Sequence, residues 1–435
     1  MRDIFVTVII LGSLPFCVRW PHIGVLMWTW LAFMNPHRLT WGFAYSMQFA
    51  LFVALATLMG VLISKEQKKI PWTAEAVLLL VFVGWMMVTT IFSTYPALAW
   101  PQFEKVAKIQ LMLFVTMMIM QRPERLKLLV LVMALSLAFY GVKGGIFTIT
   151  RGGVYHVRGP GNSFISGNNE IALALVMTVP LLRYLALTAS NFWLRHAANA
   201  SMVLTALAAM GSHSRGALIG IAAMGTFLWL KSRSKVAMLL FGAIAVYLVI
   251  SIMPDKWFER MQTIQTYEES NSALGRINAW YMAFNLAKDK PLGAGFESFR
   301  PEMFALYAPE SWRVHDAHSI FFEVLGEHGF VGLALFLALG LMTWRSASWI
   351  IRRTRKDPEK RWAADLAAMA QVSLVGYAGA GAFLGLAYFD YYYTLIAVVV
   401  ICKAILISQD AAAKAEPAGA PAQSPLLRPS PGPAG

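Results

Sequence analysis

The chain has 435 residues, of which 58% are hydrophobic and only 14% are charged. Soluble domains are about 45–50% apolar and about 25% charged, so these values exclude a soluble globular fold, and they exclude a disordered or collagen-like chain as well. The 37 Lys and Arg exceed the 23 Asp and Glu by 14, and on so apolar a chain this surplus indicates orientation in a bilayer rather than nucleic-acid binding.

The first 43 residues contain two short apolar pieces, 4–18 and 23–34, on either side of a Pro-flanked turn at 19–22. Either one broken span or a helical hairpin fits this pattern. A cleavable signal peptide is not expected, because Asp3 offsets Arg2 and no small-residue cleavage site follows the apolar region.

Apolar stretches of about 20 residues, the length of a membrane-spanning helix, follow one another from residue 44 onward. The sequence predicts eleven of them, at 44–64, 74–93, 103–120, 126–149, 169–187, 197–210, 215–230, 236–252, 320–344, 364–384 and 388–408. With one broken N-terminal span the fold class is an all-α polytopic membrane protein of about twelve transmembrane helices, and a hairpin makes thirteen.

Lys and Arg concentrate in every second loop, which predicts that these loops are cytoplasmic. The residues concerned are Lys65, Lys68, Lys69, Arg122, Arg125, Lys127, Arg195, Lys231, Arg233, Lys235, Arg345, Arg352, Arg353, Arg355, Lys356, Lys360 and Arg361. The alternate loops 94–102, 151–168 and 211–214 contain few or none. These loops are expected on the external side, and a single broken N-terminal span then leaves both termini in the cytoplasm.

The pattern divides the chain into N-terminal transmembrane helices (1–253), an external insert (254–319), C-terminal transmembrane helices (320–408) and a tail (409–435). Within the insert, 271–287 is predicted as a helix that places Arg276 and Trp280 on one face at i,i+4 spacing. The stretch 411–435 is rich in Ala, Pro, Gly and Ser. Such a composition cannot bury a core, so a disordered cytoplasmic tail is expected. The two cysteines, Cys17 and Cys402, are expected to be packing residues.

Polar residues cluster at the outer end of the span that starts at 215. Ser214 can cap this helix, and Arg215 adds a fixed cation to its positive N-terminal dipole. A phosphate site is one interpretation, and an arginine that extends to the lipid headgroups is the other.

The external insert carries three arginines, Arg276, Arg300 and Arg313. A guanidinium suits a pyrophosphate because its planar fork makes bidentate, charge-assisted hydrogen bonds and stays protonated. For Arg300 and Arg313, ion pairs with nearby Glu297, Glu302 or Glu310 on a solvated surface are an equally good interpretation.

His315, Asp316 and His318 lie directly before the apolar run that begins at Ile320. A histidine here can accept a proton from an acceptor hydroxyl. The HxxH spacing also suits a metal, but no further ligand set accompanies it, so no metal is expected. His328 falls inside the following span and is interpreted as a packing or hydrogen-bonding residue.

A glycine-rich loop, 158–161, is followed by Gly167-Asn168-Asn169-Glu170 at the outer start of the next span, and Arg158 and Asn169 are candidate binding residues there. Glycines allow close approach of a ligand to the backbone, although a turn requires them equally. The chain contains no GxxxxGK[ST] loop, so neither ATP nor another cofactor is expected to drive it.

Taken in order, these motifs resemble the O-antigen ligase and polymerase superfamily over 158–336. The similarity rests on Ser214-Arg215-Gly216-Ala217 opening an outer-facing span, Arg276 in a long insert, and His318 followed by the run 321–332, which reads FFEVLGEHGFVG. The segment 34–38, MNPHR, also resembles ligase-like membrane proteins associated with exosortase systems.

The resemblance implies a metal-independent membrane glycosyltransferase of the GT-C type in the bacterial inner membrane, with a periplasmic active site. Its donor is a glycan on undecaprenyl pyrophosphate. Arg215 and Arg276 match the family's essential arginines, and His318 matches its histidine. Asn169 matches an Asn-x-x-Ala element, although Asn168 stands where a Pro is usual, and Ser319 stands where an Asn commonly follows the histidine.

These roles predict that the arginines hold the pyrophosphate while His318 acts as general base in an inverting displacement, with Asp316 as a competing base. The favoured acceptor is lipid A-core oligosaccharide, because the compact insert contains no obvious protein-substrate module. An O-antigen polymerase and a protein O-glycosylation ligase are the alternatives. A lipid-glycan transporter is disfavoured, since inverted repeats are typical of transporters and none is detected here. The oligomeric state stays open.

Overall fold

A computed structural model describes residues 1–66, 68–232, 234–262 and 271–415. Within these ranges the chain is 78% helix and contains no strand. The helices are α1 (Arg2–Arg19), α2 (Pro21–Met34), α3 (Phe49–Ile63), α4 (Ala74–Ile91), α5 (Pro96–Ile119), α6 (Pro123–Thr150), α7 (Asn168–Thr188), α8 (Phe192–Gly211), α9 (Arg215–Lys231), α10 (Lys235–Ile252), α11 (Asp255–Gln262), α12 (Asn271–Asp289), α13 (Pro301–Tyr307), α14 (Ile320–Thr354), α15 (Arg361–Gly381) and α16 (Asp390–Ala415).

Six of the described helices are long and apolar enough to cross a membrane, namely α4, α6, α7, α10, α14 and α16. The all-helical fold with these spans is that of a polytopic membrane protein, as predicted from composition. The apolar helices α2 and α3 are shorter. The total of about twelve spans and the GT-C type remain predictions.

Several helices extend beyond the apolar stretches that predicted them. Helix α5 begins at Pro96 rather than at 103, because proline suits the first turn, where its missing N–H leaves no helical bond unmade. Helix α14 continues to Thr354 rather than ending at 344, and α3 begins at Phe49 rather than at 44. Helix α16 continues to Ala415, so the prediction of a disordered tail from 409 is wrong at its start. The remainder of that predicted tail, 416–435, lies outside the described residues.

The N-terminal segment forms a helical hairpin. Asp3 Oδ1 accepts hydrogen bonds from the N–H groups of Gly42 and Ala44, at 3.0 and 3.1 Å, so the start of α1 lies beside the start of α3. Gly24 in the first turn of α2 lies against Thr57 near the end of α3, so α2 runs antiparallel to both. The N-terminus therefore lies at the opposite end of the bundle from the end of α16. This is the arrangement expected of the hairpin alternative, and not of a single broken span, which would leave both termini on one side.

The loops segregate to two ends of the bundle. At the basic end, where the Lys-rich and Arg-rich loops meet, Arg125 pairs with Glu66 at 2.6 Å. At the other end, here called the insert end, the N–H of Thr94 donates to the carbonyl of Ala294 at 2.9 Å. The N–H of Val157 donates to the carbonyl of Gly211 at 3.0 Å at this same end. The two sets of loops distinguished by charge thus lie at opposite ends.

Small residues bring the helices of the core into close contact. Gly220 of α9 lies against Ala380 of α15, where an added Cβ would come within 2.9 Å of the alanine side chain. Gly145 of α6 lies against the backbone carbonyl of Leu204 in α8. Such contacts are typical of helix packing in membranes, where close backbone approach replaces the hydrophobic effect between helices. Helix α7 contacts α6, α8, α9 and α15 and is the most enclosed part of this core.

The insert packs onto the bundle at a break in α14. Gly329 interrupts this helix with φ 65° and ψ −170°. The break leaves the carbonyls of Gly326 and Glu327 available as acceptors. They accept hydrogen bonds from the N–H groups of Ala294 and Gly295, in the turn that follows α12, at 3.1 and 2.9 Å. A Cβ on Gly329 would lie 2.0 Å from the carbonyl oxygen of Pro291. The break therefore joins the insert to the transmembrane helices.

Gly329→Ala is expected to destabilise the protein by at least about 1–3 kcal/mol, since this backbone region is nearly restricted to glycine, and the new methyl group also clashes with Pro291. The matched control is Gly84→Ala in α4, where nothing lies within 4 Å of the added Cβ. That exposed helical position should gain about 0.5–1 kcal/mol. Thermal unfolding of both variants in the same detergent measures the difference, and equal melting temperatures would contradict the packing described.

Candidate functional site

The turn between α8 and α9 is held rigidly at the insert end. Ser214 caps α9, its hydroxyl accepting from the N–H of Ala217 at 3.3 Å. His213 lies in the left-handed region with φ 58°, and its Nε2 hydrogen-bonds the carbonyl of Gly153 at 2.7 Å. Asn168 Nδ2 donates to the carbonyl of Ser212 at 2.9 Å. These contacts fix the direction in which Arg215 leaves the start of α9.

Helix α11 covers the same turn from the insert side. Arg260 Nε donates to the carbonyl of His213 at 2.9 Å, and Trp257 Nε1 donates to the carbonyl of Met210 at 3.1 Å. Two side chains of α11 thus hold the last turn of α8 and the loop before α9. This contact brings Arg260 beside Arg215.

Arg276, on α12, completes a cluster of three arginines with Arg215 and Arg260. Burial, together with the charges of Arg215 and Arg260, lowers the pKa of the Arg276 guanidinium, while the carboxylate of Glu170 opposes that shift. Arg276 Nε is buried and has no hydrogen-bond partner among the described residues. A buried guanidinium donor without an acceptor is costly, and an anionic ligand would supply the acceptor.

His318 lies next to this cluster in the loop before α14. Its φ is 40°, a left-handed conformation that few side chains adopt. Burial, opposed by Asp316 and assisted by the positive charge of Arg276, lowers the pKa of His318 to about 4. The imidazole is therefore neutral near pH 7 and has a nitrogen lone pair with which to accept a proton.

Aromatic packing fixes the loop that carries His318. Trp280, one turn after Arg276 on α12, donates its Nε1–H to the carbonyl of Ala317 at 2.8 Å. The Trp280 ring stacks on Phe322 with centroids 5.0 Å apart and an interplanar angle of 8°. The predicted i,i+4 pair therefore has two uses, because one face of α12 supplies both the arginine and the support for His318.

Two carboxylates lie near the loop that carries His318. Asp316 Oδ1 accepts from the N–H of Ala317 at 2.8 Å, and Glu323 Oε2 accepts from the N–H of Ala387 at 3.0 Å. Asp316 Oδ2 and Glu323 Oε2 both approach Gly385, within 3.5 and 3.4 Å of the position of an added Cβ. The loop between α15 and α16 thus meets the loop of His318.

The remaining predicted site residues lie around or outside this group. Arg300 and Arg313 are 3.8 and 2.8 Å from Glu297 and Glu310, the ion pairs offered as the alternative interpretation. Arg158 is exposed, and its charge contributes to lowering the pKa of His156, so it lies on the rim.

The other histidines and Asn169 have separate environments. The ring of His315 lies 4.9 Å from that of His318, which places both histidines of the HxxH pair in one loop. Asn169 is half-buried in the first turn of α7. His328 is fully buried and its Nδ1 hydrogen-bonds Thr89 at 2.7 Å, in agreement with a packing role. Among the residues that the structure describes, no three His, Cys, Asp or Glu side chains form a group suited to a metal ion.

Sequence reasoning missed Arg260, which the structure brings to the site. Asn168 and Glu170 belong to the candidate segment 167–170, although the predicted binding residue there is Asn169. The side chain of Asn168, rather than that of Asn169, anchors the turn of Ser212. Arg260 follows Trp257 by three residues on a short helix, a spacing that placed both on one face. That face had no identifiable partner until the fold was known.

Two family matches cover most of the chain. Residues 200–337 match the family described as O-Antigen ligase, and residues 1–190 match one described as a family of unknown function (DUF5935). The match over 200–337 supports membership of the O-antigen ligase superfamily. This region contains Arg215, Arg260, Arg276 and His318, and the similarity supports a function of the ligase or polymerase type. No curated protein matches the chain.

The arginine cluster predicts affinity for inorganic pyrophosphate, measured as a rise in melting temperature of the purified protein. Ligand bound only by the folded state raises its stability in proportion to the logarithm of the ligand concentration. Arg276→Ala should weaken binding about tenfold to a hundredfold, as expected for loss of one charge-assisted contact of about 1.5–3 kcal/mol.

Arg300→Ala is the matched control for this measurement, because Arg300 lies on the same insert but pairs with Glu297. It should retain the wild-type response. An equal loss in the two variants would mean that the insert attracts pyrophosphate only through its overall charge.

Proposed function

We propose that this protein is a glycan ligase that transfers a glycan from undecaprenyl pyrophosphate to lipid A-core oligosaccharide on the periplasmic side of the inner membrane. One observation carries the proposal. Three arginines from α9, α11 and α12 converge at one end of a membrane helix bundle, and a neutral histidine lies beside them. This combination suits a reaction whose leaving group is a pyrophosphate and whose nucleophile is a hydroxyl.

The donor half of the reaction rests on Arg215, Arg260 and Arg276. A sugar on a lipid pyrophosphate already has a good leaving group, so the protein must mainly stabilise the negative charge that develops as the bond to the anomeric carbon breaks. Guanidinium groups make bidentate, charge-assisted hydrogen bonds to phosphate oxygens. The Ser214-capped start of α9 adds its positive helix end to the same position.

The acceptor half rests on His318. The oxygen of the acceptor hydroxyl attacks the anomeric carbon, its proton passes to the imidazole, and the bonding electron pair leaves with undecaprenyl pyrophosphate. A single displacement of this kind inverts the anomeric configuration. The residues present carry these steps with their own charges and one proton acceptor. Asp316, in the same loop, is the competing proton acceptor.

The acceptor class is proposed from the size of the insert. The described helices of the insert are α11 to α13, and α12 packs on both α13 and α14, so the described part of the insert is small. This favours a lipid-anchored glycan acceptor, which diffuses in the same membrane, over an extended polypeptide. A polymerase that adds to another lipid-linked repeat shares the same donor half.

The ligation test uses the full-length protein in nanodiscs with undecaprenyl-pyrophosphate glycan and lipid A-core, in the presence of EDTA and without nucleotide. Arg276→Ala should lower kcat about 10²- to 10³-fold, the usual cost of removing one group that stabilises transition-state charge. His318→Asn should lower it about 10²- to 10⁴-fold, the usual contribution of a general base. Asparagine tolerates the left-handed backbone at 318, so this change removes the base with little backbone strain.

His196→Asn is the matched control, because His196 is an exposed histidine on α8 away from the site. A wild-type rate in His318→Asn would refute the role of base. If lipid A-core gives no product and a second lipid-linked repeat does, the protein is a polymerase. If only a Ser or Thr peptide gives a product, it is a protein O-glycosylation ligase.

The pH dependence of the reaction tests the base separately. The active imidazole is the deprotonated form, so activity falls as the pH drops through its pKa. Since kcat/KM reports the free enzyme, its acid limb is expected near the pKa of about 4 given by burial and Arg276. The kcat profile reports the enzyme with substrate bound. There the pyrophosphate offsets the charge of Arg276, which raises the pKa of His318, so the acid limb of kcat should lie at higher pH than that of kcat/KM. An acid limb that persists in His318→Asn and disappears in Asp316→Asn would assign the base to Asp316.

A further inference from the structure

A cavity of about 680 Å³ opens at the basic end of the bundle, at the opposite end from the arginine cluster. The end of α7 and the beginnings of α6 and α15 enclose it. Its lining combines leucines of α6 and α7 with Tyr184 and with charged side chains of α6 and α15. None of these residues takes part in the proposed reaction.

The wall of the cavity is divided into an apolar part and a charged part. Leu128 and Leu131 on α6 face Leu185 and Leu187 on α7, and this leucine surface continues the apolar side of the spans. Leu128 and Leu187 are 43% and 42% exposed, so hydrocarbon can reach them from the bilayer. An acyl chain is the ligand that this surface fits.

The charged part contains both signs. The ammonium of Lys127 lies 5.2 Å from the centre of the Trp362 ring. Arg361 and Asp365 are 4.0 Å apart one turn from each other on α15, and Glu124 lies one turn before Lys127 on α6. A cation held over an aromatic ring keeps most of its charge for an anion.

Tyr184 contributes one further polar group. Its side chain is 1% exposed and lines the cavity, and its hydroxyl has no hydrogen-bond partner among the described residues. Buried hydroxyls are normally satisfied. The unused donor capacity next to the leucine surface suits an ester carbonyl, which is the group that joins a lipid headgroup to its acyl chains.

We propose that this cavity is a specific site for a zwitterionic glycerophospholipid. Lys127 and Arg361 bind the phosphodiester, Glu124 and Asp365 face the cationic amine of the headgroup, and one acyl chain lies along the leucines of α6 and α7. The charged part of the cavity carries both cationic and anionic side chains beside the leucines, which suits a zwitterionic headgroup. The two carboxylates would be unfavourable for an anionic lipid. The site is independent of the proposed glycan transfer.

The experiment is native mass spectrometry of the full-length protein purified in mild detergent, followed by titration with phosphatidylethanolamine or phosphatidylglycerol. Wild type is expected to retain one phosphatidylethanolamine and to bind it at least about tenfold more tightly than phosphatidylglycerol, a difference of about 1.4 kcal/mol. Lys127→Ala combined with Arg361→Ala should lose the retained lipid. Leu128→Trp, which fills the cavity from its exposed side, should lose it with the charges intact.

Lys231→Ala is the matched control, because the Lys231 ammonium also lies over an aromatic ring, 5.5 Å from that of Phe227, at the basic end but outside the cavity. It should retain the lipid. Equal retention in wild type and in all variants would overturn the proposal, since it would mean only annular lipid. A preference for phosphatidylglycerol would overturn the assignment of the two carboxylates. Full displacement by the water-soluble headgroup glycerophosphoethanolamine would overturn the role of the leucine surface.

Discussion

The backbone contact between Gly329 and the turn at 291–295 is the constraint on which the site depends. At Gly329 the helix α14 breaks, and the carbonyls of Gly326 and Glu327 become acceptors for the N–H groups of Ala294 and Gly295. Polar backbone at membrane depth is tolerated only where the protein itself satisfies it. The contact therefore holds the end of α12 against the first half of α14. Helix α12 carries Arg276, and His318 lies in the loop directly before α14.

A second constraint is electrostatic. Three guanidinium groups that lie close together repel one another, and burial makes the cost greater for Arg276. Glu170 at the start of α7 partly compensates, and the carbonyl of His213 fixes Arg260. Such preorganised positive charge costs stability in the free protein, and it is repaid when negative charge develops in a transition state. The stability of the fold and the chemistry of the proposed site thus have opposite requirements at this position.

The two ends of the bundle differ in the kind of ligand that they suit. At the insert end the positive charges come from separate helices and converge, which suits a compact, highly charged group such as a pyrophosphate. At the basic end the charges of both signs alternate along α6 and α15 beside a leucine surface. The same residue types, Arg, Asp and Glu, therefore serve different chemistry because the helices bring them to different neighbours.

Much of the fold could be predicted from the sequence, because the pattern that specifies it is local. A run of about 20 apolar residues must form a helix in a bilayer, since no other single segment satisfies its own backbone there. The alternation of basic and non-basic loops correctly separated the two ends of the bundle, and the helix predicted over 271–287 is present as α12. The N-terminal hairpin could not be chosen, because two short apolar pieces satisfy either arrangement until Asp3 meets Gly42 and Ala44.

The candidate site likewise contains some relations that the sequence predicts and others that depend on the tertiary structure. The sequence by itself determined that Arg215 follows a helix cap, that Arg276 and Trp280 share a helix face, and that His318 precedes a span, because each of these relations joins residues close in the chain. Only the tertiary structure decided that Arg260 lies beside Arg215, that Arg300 and Arg313 pair with glutamates instead, and that Asn168 rather than Asn169 holds the turn. These contacts join residues far apart in the chain or choose between equivalent neighbours, and the packing of the helices alone settles them.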